Sequence, residues 1–407
     1  MTSPRTAAAI ALGLVLPAAN TAPRIESPPT FNAAQIPGIT RVGSNYTVES
    51  PVRSDGLLRD YVLATPYGQV AVRGDAMLRM RTNELAALSR LEKVSNSQSF
   101  TRALAEAGLS PLKYTGQFIA NPVKTLGDTF AGIGGLFGRI HSDINNAGKT
   151  QDNAVAGVLG VTSQRRELAA AYGVDPYTDL QPLDAKLKQL SEAAALGGLA
   201  VTGALLAVPG AAGIVVSNLS NANKLNNVAI DELARNYTAS QILDLNRALL
   251  AKMGVAPEVS ASLLANRNYT PIDLAAMLAA LDSMGAVQDR YVFVERAAAA
   301  DVRSTAFFSR RRAELLADDY RRHGNYVRFV SLVSYPFVET RDGRIEALLP
   351  VDALSWTAQT SEGFAVVTAA RKRIAPHAHG VLRITGTATA LAKRALTHEG
   401  WRVLERQ

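Results

Sequence analysis

Hydrophobic spacing divides the chain into a β-patterned beginning, a long helical middle and a β-rich end. Tyr61-Val62-Leu63 and Val70-Ala71-Val72 are β-prone runs separated by the turn-forming Thr65-Pro66-Tyr67-Gly68, which predicts a hairpin. From Asp75 the period becomes helical: Met77, Met80, Leu85, Leu88 and Leu91 form one stripe, with Arg79, Arg81, Glu84 and Arg90 off it. Further on, Ile119, Val123, Leu126, Phe130, Ile133, Phe137 and Ile140 recur at alternating spacings of 4 and 3, three heptads of an a/d seam. Gly127, Gly132, Gly134, Gly135 and Gly138 interrupt it, each costing about 0.5–1 kcal/mol relative to Ala. Such a helix needs a surface over its stripe, either a neighbouring helix or a lipid interface, so these seven apolar residues are the candidate membrane or partner contacts.

Residues 141–163 are polar and rich in Gly, Asn and Ala, as in a flexible connection, and helices resume at Ser163. Asp175-Pro176-Tyr177-Thr178 predicts a turn opening the next helix, with Asp175 as cap and Pro176 in the first helical position. Ala193 to Val216 is a run of 24 residues without a charge, long enough to cross a bilayer. Its five glycines and Pro209 favour a buried, Ala/Gly-packed helix turning at Pro209-Gly210, with membrane insertion as the alternative. An internal repeat follows. Asn236-Tyr237-Thr238 returns 32 residues later as Asn268-Tyr269-Thr270, and Met253-Gly254 returns as Met284-Gly285. Each copy reads as a Thr N-cap, an apolar helix and a glycine stop, the pattern of paired helical hairpins.

Beyond residue 287 the β pattern returns. Tyr291 to Val294, Val327 to Val338, Ile345 to Leu349, Phe364 to Val367, Val381 to Ile384 and Trp401 to Leu404 read as strands, with Arg341-Asp342-Gly343-Arg344 as a hairpin turn. Asp301 to His323 and Thr387 to Thr397 read as helices. The fold class is therefore α+β: a mainly helical middle and a C-terminal, mostly antiparallel α+β domain, which the early hairpin could join because two strands alone are marginal.

The first residues change the picture of where the protein works. Arg5 precedes a 13-residue apolar run, Ala7 to Ala19, and small residues lead to Ala22-Pro23, the layout of a secretory signal peptide. The run is too short for a transmembrane helix, which needs about 20 residues. Residues 23–50, with Pro23, Pro28, Pro29 and Pro37 and no hydrophobic period, read as a linker. The resulting organisation is a signal peptide (1–22), linker (23–50), hairpin plus helix (51–110), Gly-rich helix and connection (111–162), helical domain (163–287) and basic α+β domain (288–407). With no cysteine, the exported chain relies on ordinary packing rather than disulfides.

Net charge is +8, and from Tyr291 onward 18 Lys and Arg face 12 Asp and Glu, so +6 lies in the last domain. For an exported protein the matching partner is an envelope protein or a membrane surface, and nucleic acid is not favoured.

Candidate chemistry is sparse. Gly148-Lys149-Thr150 lacks the P-loop's earlier glycine, where Asp143 stands, and Gly132 to Phe137 lacks the third glycine of a dinucleotide fingerprint. His398-Glu399-Gly400-Trp401 has no second histidine, and there is no G-x-S-x-G. No cofactor and no metal are expected. The histidines that come nearest to a metal edge are His377 and His379, with His398 or a carboxylate from elsewhere in the fold as the third ligand; surface histidines in a turn beside Pro376 and Gly380 are the favoured reading. Asp318-Asp319 lies among Arg310, Arg311, Arg312, Arg321 and Arg322, where ion pairing is the ordinary account. The leading expectation is a non-enzymatic, exported binding or membrane-associated protein. Its alternatives are an envelope hydrolase with a site in the C-terminal domain, and a membrane-perturbing protein using the Gly-rich helices.

Overall fold

The computed structural model describes residues 25–108, 162–206 and 232–406. The leading apolar segment, the seam residues Ile119, Val123, Leu126, Phe130, Ile133, Phe137 and Ile140, and residues 207–216 of the uncharged run lie outside these.

The stretch expected to be a linker is instead part of a sheet. Strands β1 (Thr30–Phe31), β2 (Val42–Gly43), β3 (Tyr46–Val48) and β4 (Val52–Ser54) surround the predicted hairpin, β5 (Arg59–Thr65) and β6 (Gly68–Arg73). β5 carries β4 and β3 along one edge and β6 along the other, all antiparallel. Strands of two or three residues are too short to show a period, yet Ala33, Ile36, Tyr46 and Val48 are buried. The hairpin therefore finds its partners in β3 and β4 and pairs with no strand of the C-terminal sheet.

Helix α1 (Asp75–Ser95) buries Met77, Leu85, Leu88 and Leu91 of the predicted stripe and leaves Met80 partly buried, and it also buries Arg81 and Glu84. Helices α2 (Gln98–Glu106), α3 (Ser163–Ala171) and α4 (Gln181–Leu206) follow, and Leu183, Leu187 and Leu190 of α4 share one core with α1. Asp175 does not cap α4. Its side chain accepts the Tyr177 N–H at 2.8 Å in a tight turn, and the helix begins only at Gln181. Within the uncharged run α4 breaks helical geometry at Gly198, and no helix among the described residues is long and apolar enough to cross a membrane.

The repeat is a pair of matched helix starts. In α5 (Ala239–Lys252) Thr238 and Gln241 form a reciprocal capping box, and in α7 (Pro271–Ser283) Thr270 and Asp273 do the same. Between them lies α6 (Pro257–Leu264), and α5 packs against α7.

Two segments read as strands are helical. Tyr291 to Val294 opens α8 (Tyr291–Ala298), and Phe364 to Val367 lies in α10 (Ala358–Ile374). Both contain β-prone residues, but what is buried follows the helical period: Phe293, Val294 and Ala297 in α8, and Thr360, Gly363, Phe364, Val367 and Arg371 in α10. Helix α9 (Arg303–His323) matches expectation and ends at Gly324, whose φ of 59° is left-handed.

The C-terminal sheet has the order β13-β11-β9-β8-β7, formed by β7 (Tyr326–Leu332), β8 (Tyr335–Thr340), β9 (Ile345–Leu349), β11 (Gly380–Ile384) and β13 (Trp401–Leu404). The chain is thus α+β, with a mixed sheet: β7, β8 and β9 pair antiparallel, whereas β9, β11 and β13 are parallel. Parallel neighbours need a crossover, and α10 and α11 (Ala390–His398) supply it, which is why residues 364–367 are helix. A small parallel bridge joins β10 (Ala353–Leu354) to β12 (Thr387–Ala388). Gly386 permits that approach, since a Cβ there would lie 1.9 Å from the Asp352 carbonyl oxygen.

The run from Val327 to Val338, read as one strand, is two. Val333 and Ser334 form a two-residue turn at φ 54° and 61°, both left-handed, the geometry that matches strand twist in tight hairpins. Neither is glycine or asparagine, so the turn has no sequence signature. A Ser334→Gly substitution removes the side-chain penalty at the exposed second position and is expected to stabilise the protein by roughly 0.5–1 kcal/mol. The check is a rise in the thermal midpoint, and a fall would show that the turn is not under strain.

Candidate functional site

The predicted histidines do not converge. His377, His379 and His398 are all solvent-exposed, and no group of three His, Cys, Asp or Glu side chains suited to a metal occurs among the described residues. His323, the fourth histidine of the C-terminal region, places Nδ1 3.1 Å from the Asp319 carboxylate and is 52 % exposed.

Charged side chains inside the molecule are mostly paired. Arg81 meets Glu84 and Asp179, Arg303 meets Asp179 and Asp273, and Arg310 meets Asp273 and Glu314, a chain of pairs joining α1, the turn before α4, α7 and α9. Asp319 pairs with Arg383 at 2.6 Å and accepts the Tyr326 hydroxyl at 2.6 Å. Asp318 takes Arg321 at 3.1 Å. Most of the arginine-rich stretch of α9 is thus ion-paired, as its sequence suggested.

Arg312 is different. Its residue is 3 % exposed, and among the described residues neither Arg312 nor the nearby Arg296 has a carboxylate within ion-pair distance. The guanidinium donates through Nε to the Leu348 carbonyl at 3.2 Å and through a terminal nitrogen to the Pro336 carbonyl. It lies 4.9 Å from the centroid of the Tyr335 ring and 5.6 Å from that of Phe293. Arg296 lies 5.6 Å from the same Tyr335 ring, so two cations share one aromatic. Burial pushes the Arg312 guanidinium down to about 10, and repulsion from Arg296 adds to this; it still carries its charge at neutral pH.

These groups line a small cleft with room for about one water-sized group. Helix α8 contributes Phe293, Arg296 and Ala297; α9 contributes Thr305, Phe308, Ser309 and Arg312; the start of β8 adds Tyr335 and Pro336. The strained hairpin turn at Val333-Ser334 leads straight into this wall. The carbonyls at the end of α8, which would repel an anion, are occupied: Tyr269 donates to Ala297 at 2.9 Å, and Asn266 donates to Ala298 at 3.2 Å and Ala300 at 2.8 Å. A buried guanidinium without a counter-charge costs stability, and an anion in the cleft would offset that cost.

One signal in the sequence points to Arg312. It stands four residues from Phe308 and four from Leu316, both buried, so a charge occupies the buried face of α9. Its immediate neighbours Arg310 and Arg311 conceal this. Arg371 is also buried without an ion pair, against the Trp401 ring at 5.1 Å, and like Arg312 it donates to backbone carbonyls, those of Ala378 and Glu399; among the described residues it has no second arginine beside its ring.

In the N-terminal sheet, Asp60 has an 11 % exposed side chain 3.5 Å from Arg73. Burial, only partly offset by Arg73 and reinforced by Asp55, pushes its carboxyl up to about 7. The native state therefore holds a proton that the unfolded chain has released. The stabilising contribution is full below about pH 4 and is lost as pH rises through about 7. Asp60→Asn is expected to gain on the wild type by roughly 1–3 kcal/mol between pH 4.5 and pH 8, an estimate reduced for residual solvent access. Urea titrations at the two pH values measure it, and a pH-independent difference contradicts it.

Comparison with known proteins finds no matching family model, no matching curated protein and no matching solved structure.

Proposed function

We propose that this is an exported cell-envelope protein, non-enzymatic, that binds the anionic end of a partner in the Arg312 cleft. One observation carries the reading: a buried guanidinium lines a cleft beside a second one, and neither is paired to a carboxylate. Export is supported by the Arg5-led apolar segment ending near Ala22, and an envelope partner by the +6 balance of the chain from Tyr291 onward.

Two measurements test the two halves of the proposal. N-terminal sequencing of the native protein is expected to begin near residue 23, and a start at Met1 or Thr2 removes the export half. At constant ionic strength, acetate or inorganic phosphate replacing chloride is expected to raise the thermal midpoint of the wild type but not of Arg296→Met. An equal response in both proteins removes the cleft as an anion site.

A further inference from the structure

We infer that one end of the C-terminal sheet docks on an anionic lipid surface, whether or not the Arg312 cleft takes an anion. The starts of β9, β11 and β13 lie side by side because these strands are parallel, and the β8–β9 turn and the start of β7 join them at the same end. Helices α9, α10 and α11 each lead into a strand that begins there, so three helix C-termini arrive together. Hydrogen bonds to backbone carbonyls hold these segments in place. Arg371 donates to Ala378 and, at 3.1 Å, to Glu399; the Ile345 N–H donates to His379 at 3.3 Å, and the Arg341 N–H to Asn325 at 3.0 Å.

This end presents positive charge that its own carboxylates do not cancel. Arg321 pairs with Asp318 at 3.1 Å, Arg344 with Asp342 at 2.7 Å, and Lys372 with Glu399 at 3.9 Å. Arg322, Arg341, Arg373 and Arg402 are exposed, and among the described residues none of the four has a carboxylate within ion-pair distance. Cations in the last turn of a helix complement its macrodipole, which accounts for Arg322 and Arg373. It does not account for Arg341, which sits in a hairpin turn, or Arg402, which sits in a strand.

An apolar side chain decides which polyanion fits. Ile374 ends α10 directly after Lys372 and Arg373 and is 55 % exposed. An exposed aliphatic group set among cations matches an interface where anionic headgroups adjoin acyl chains. Single-stranded nucleic acid instead stacks its bases on aromatic rings, and residues 321–324, 341–344, 371–379 and 398–402 carry no exposed one.

Flotation of the whole chain with vesicles of phosphatidylglycerol and phosphatidylcholine, against phosphatidylcholine alone, tests this at about 0.1 M salt. Replacing Arg341, Arg373 and Arg402 together by Ser is expected to weaken binding to the anionic vesicles at least about tenfold, because each is a cation that the headgroups attract. Replacing Arg53, Arg79 and Arg267 by Ser removes the same net charge from exposed positions on other elements, and is expected to change binding by no more than about twofold. Comparing the two triple variants separates this face from net charge and from any lipid contact made elsewhere in the chain. Ile374→Ser is expected to weaken binding about threefold or more at unchanged charge. All seven positions are exposed, which keeps the cost to folding small. Equal losses in the two triple variants, no loss in the first, or equal binding to neutral vesicles overturns the proposal, as does no binding to either vesicle. An oligothymidylate that binds more tightly than the anionic vesicles, is lost with the first triple variant and is indifferent to Ile374→Ser overturns lipid in favour of nucleic acid.

Discussion

Asp273→Ala is expected to cost about 3–5 kcal/mol, because it strips the shared counter-charge from two interior guanidiniums. Asp273 is 1 % exposed; its two oxygens meet Arg310 at 2.9 Å and Arg303 at 2.7 Å, and one accepts the Thr270 N–H at 3.0 Å in the capping box of α7. Burial alone would raise this carboxyl, but Arg303 and Arg310 more than offset it and hold it below the ordinary range. A lowered value means that the native state favours the ionised form. The contribution is therefore present above the unfolded value of about 4 and is lost as pH falls through the folded one. Urea unfolding of the variant at neutral pH measures the loss, and Asp273→Asn, which keeps an acceptor for Thr270 but not the charge, should fall between. A loss under about 1 kcal/mol would mean that Asp179 and Glu314 suffice for the two arginines.

The second large effect is expected at Asp352. Helix α1 starts after Gly74, which offers no side-chain cap, and the cap comes from a residue 277 positions further along the chain: Asp352 accepts the Asp75 N–H at 3.1 Å. The same carboxylate accepts the Arg59 N–H at 3.0 Å at the start of β5. The Asp352 and Ala353 N–H groups in turn donate to Leu57, and Ser355 to Gly56, so this loop ties the first sheet to the C-terminal region. Asp352→Ala removes a helix cap and leaves a second buried N–H without its acceptor, which together are expected to cost about 2–4 kcal/mol. Burial, with Asp75 nearby, holds the Asp352 carboxyl well above the usual range, so its contribution is complete in acid and shrinks as pH rises through the folded value. Asp352→Asn should accordingly be tolerated better at pH 8 than at pH 5. Urea midpoints across that range decide the matter; a greater loss for Asn at the higher pH would show that the ionised carboxylate is what the junction requires.

The elements that were legible share a cause. The α1 stripe, the Thr238 and Thr270 caps, the Arg341–Arg344 turn and the closing strand at Trp401 are decided by neighbours within a few residues, where period and capping chemistry act. The failures have the opposite cause. Residues 291–294 and 364–367 carry β-prone side chains, but the first segment packs as a helix beside β7 and β8, and the second must cross between two parallel strands. The short strands of residues 30–48 exist because β4 and β5 offer edges to pair with, not because of any pattern of their own.

The candidate site divides the same way. Composition and spacing alone determined that the chain is α+β, lacks cysteine, concentrates basic charge after residue 290 and places an arginine four residues from two apolar neighbours on α9. Only the tertiary structure decided which of the described interior arginines lack a counter-charge. Ion pairing depends on what distant segments bring within about 4 Å, and that distance is set by the packing of α8, α9 and the β7–β8 hairpin rather than by position along the chain.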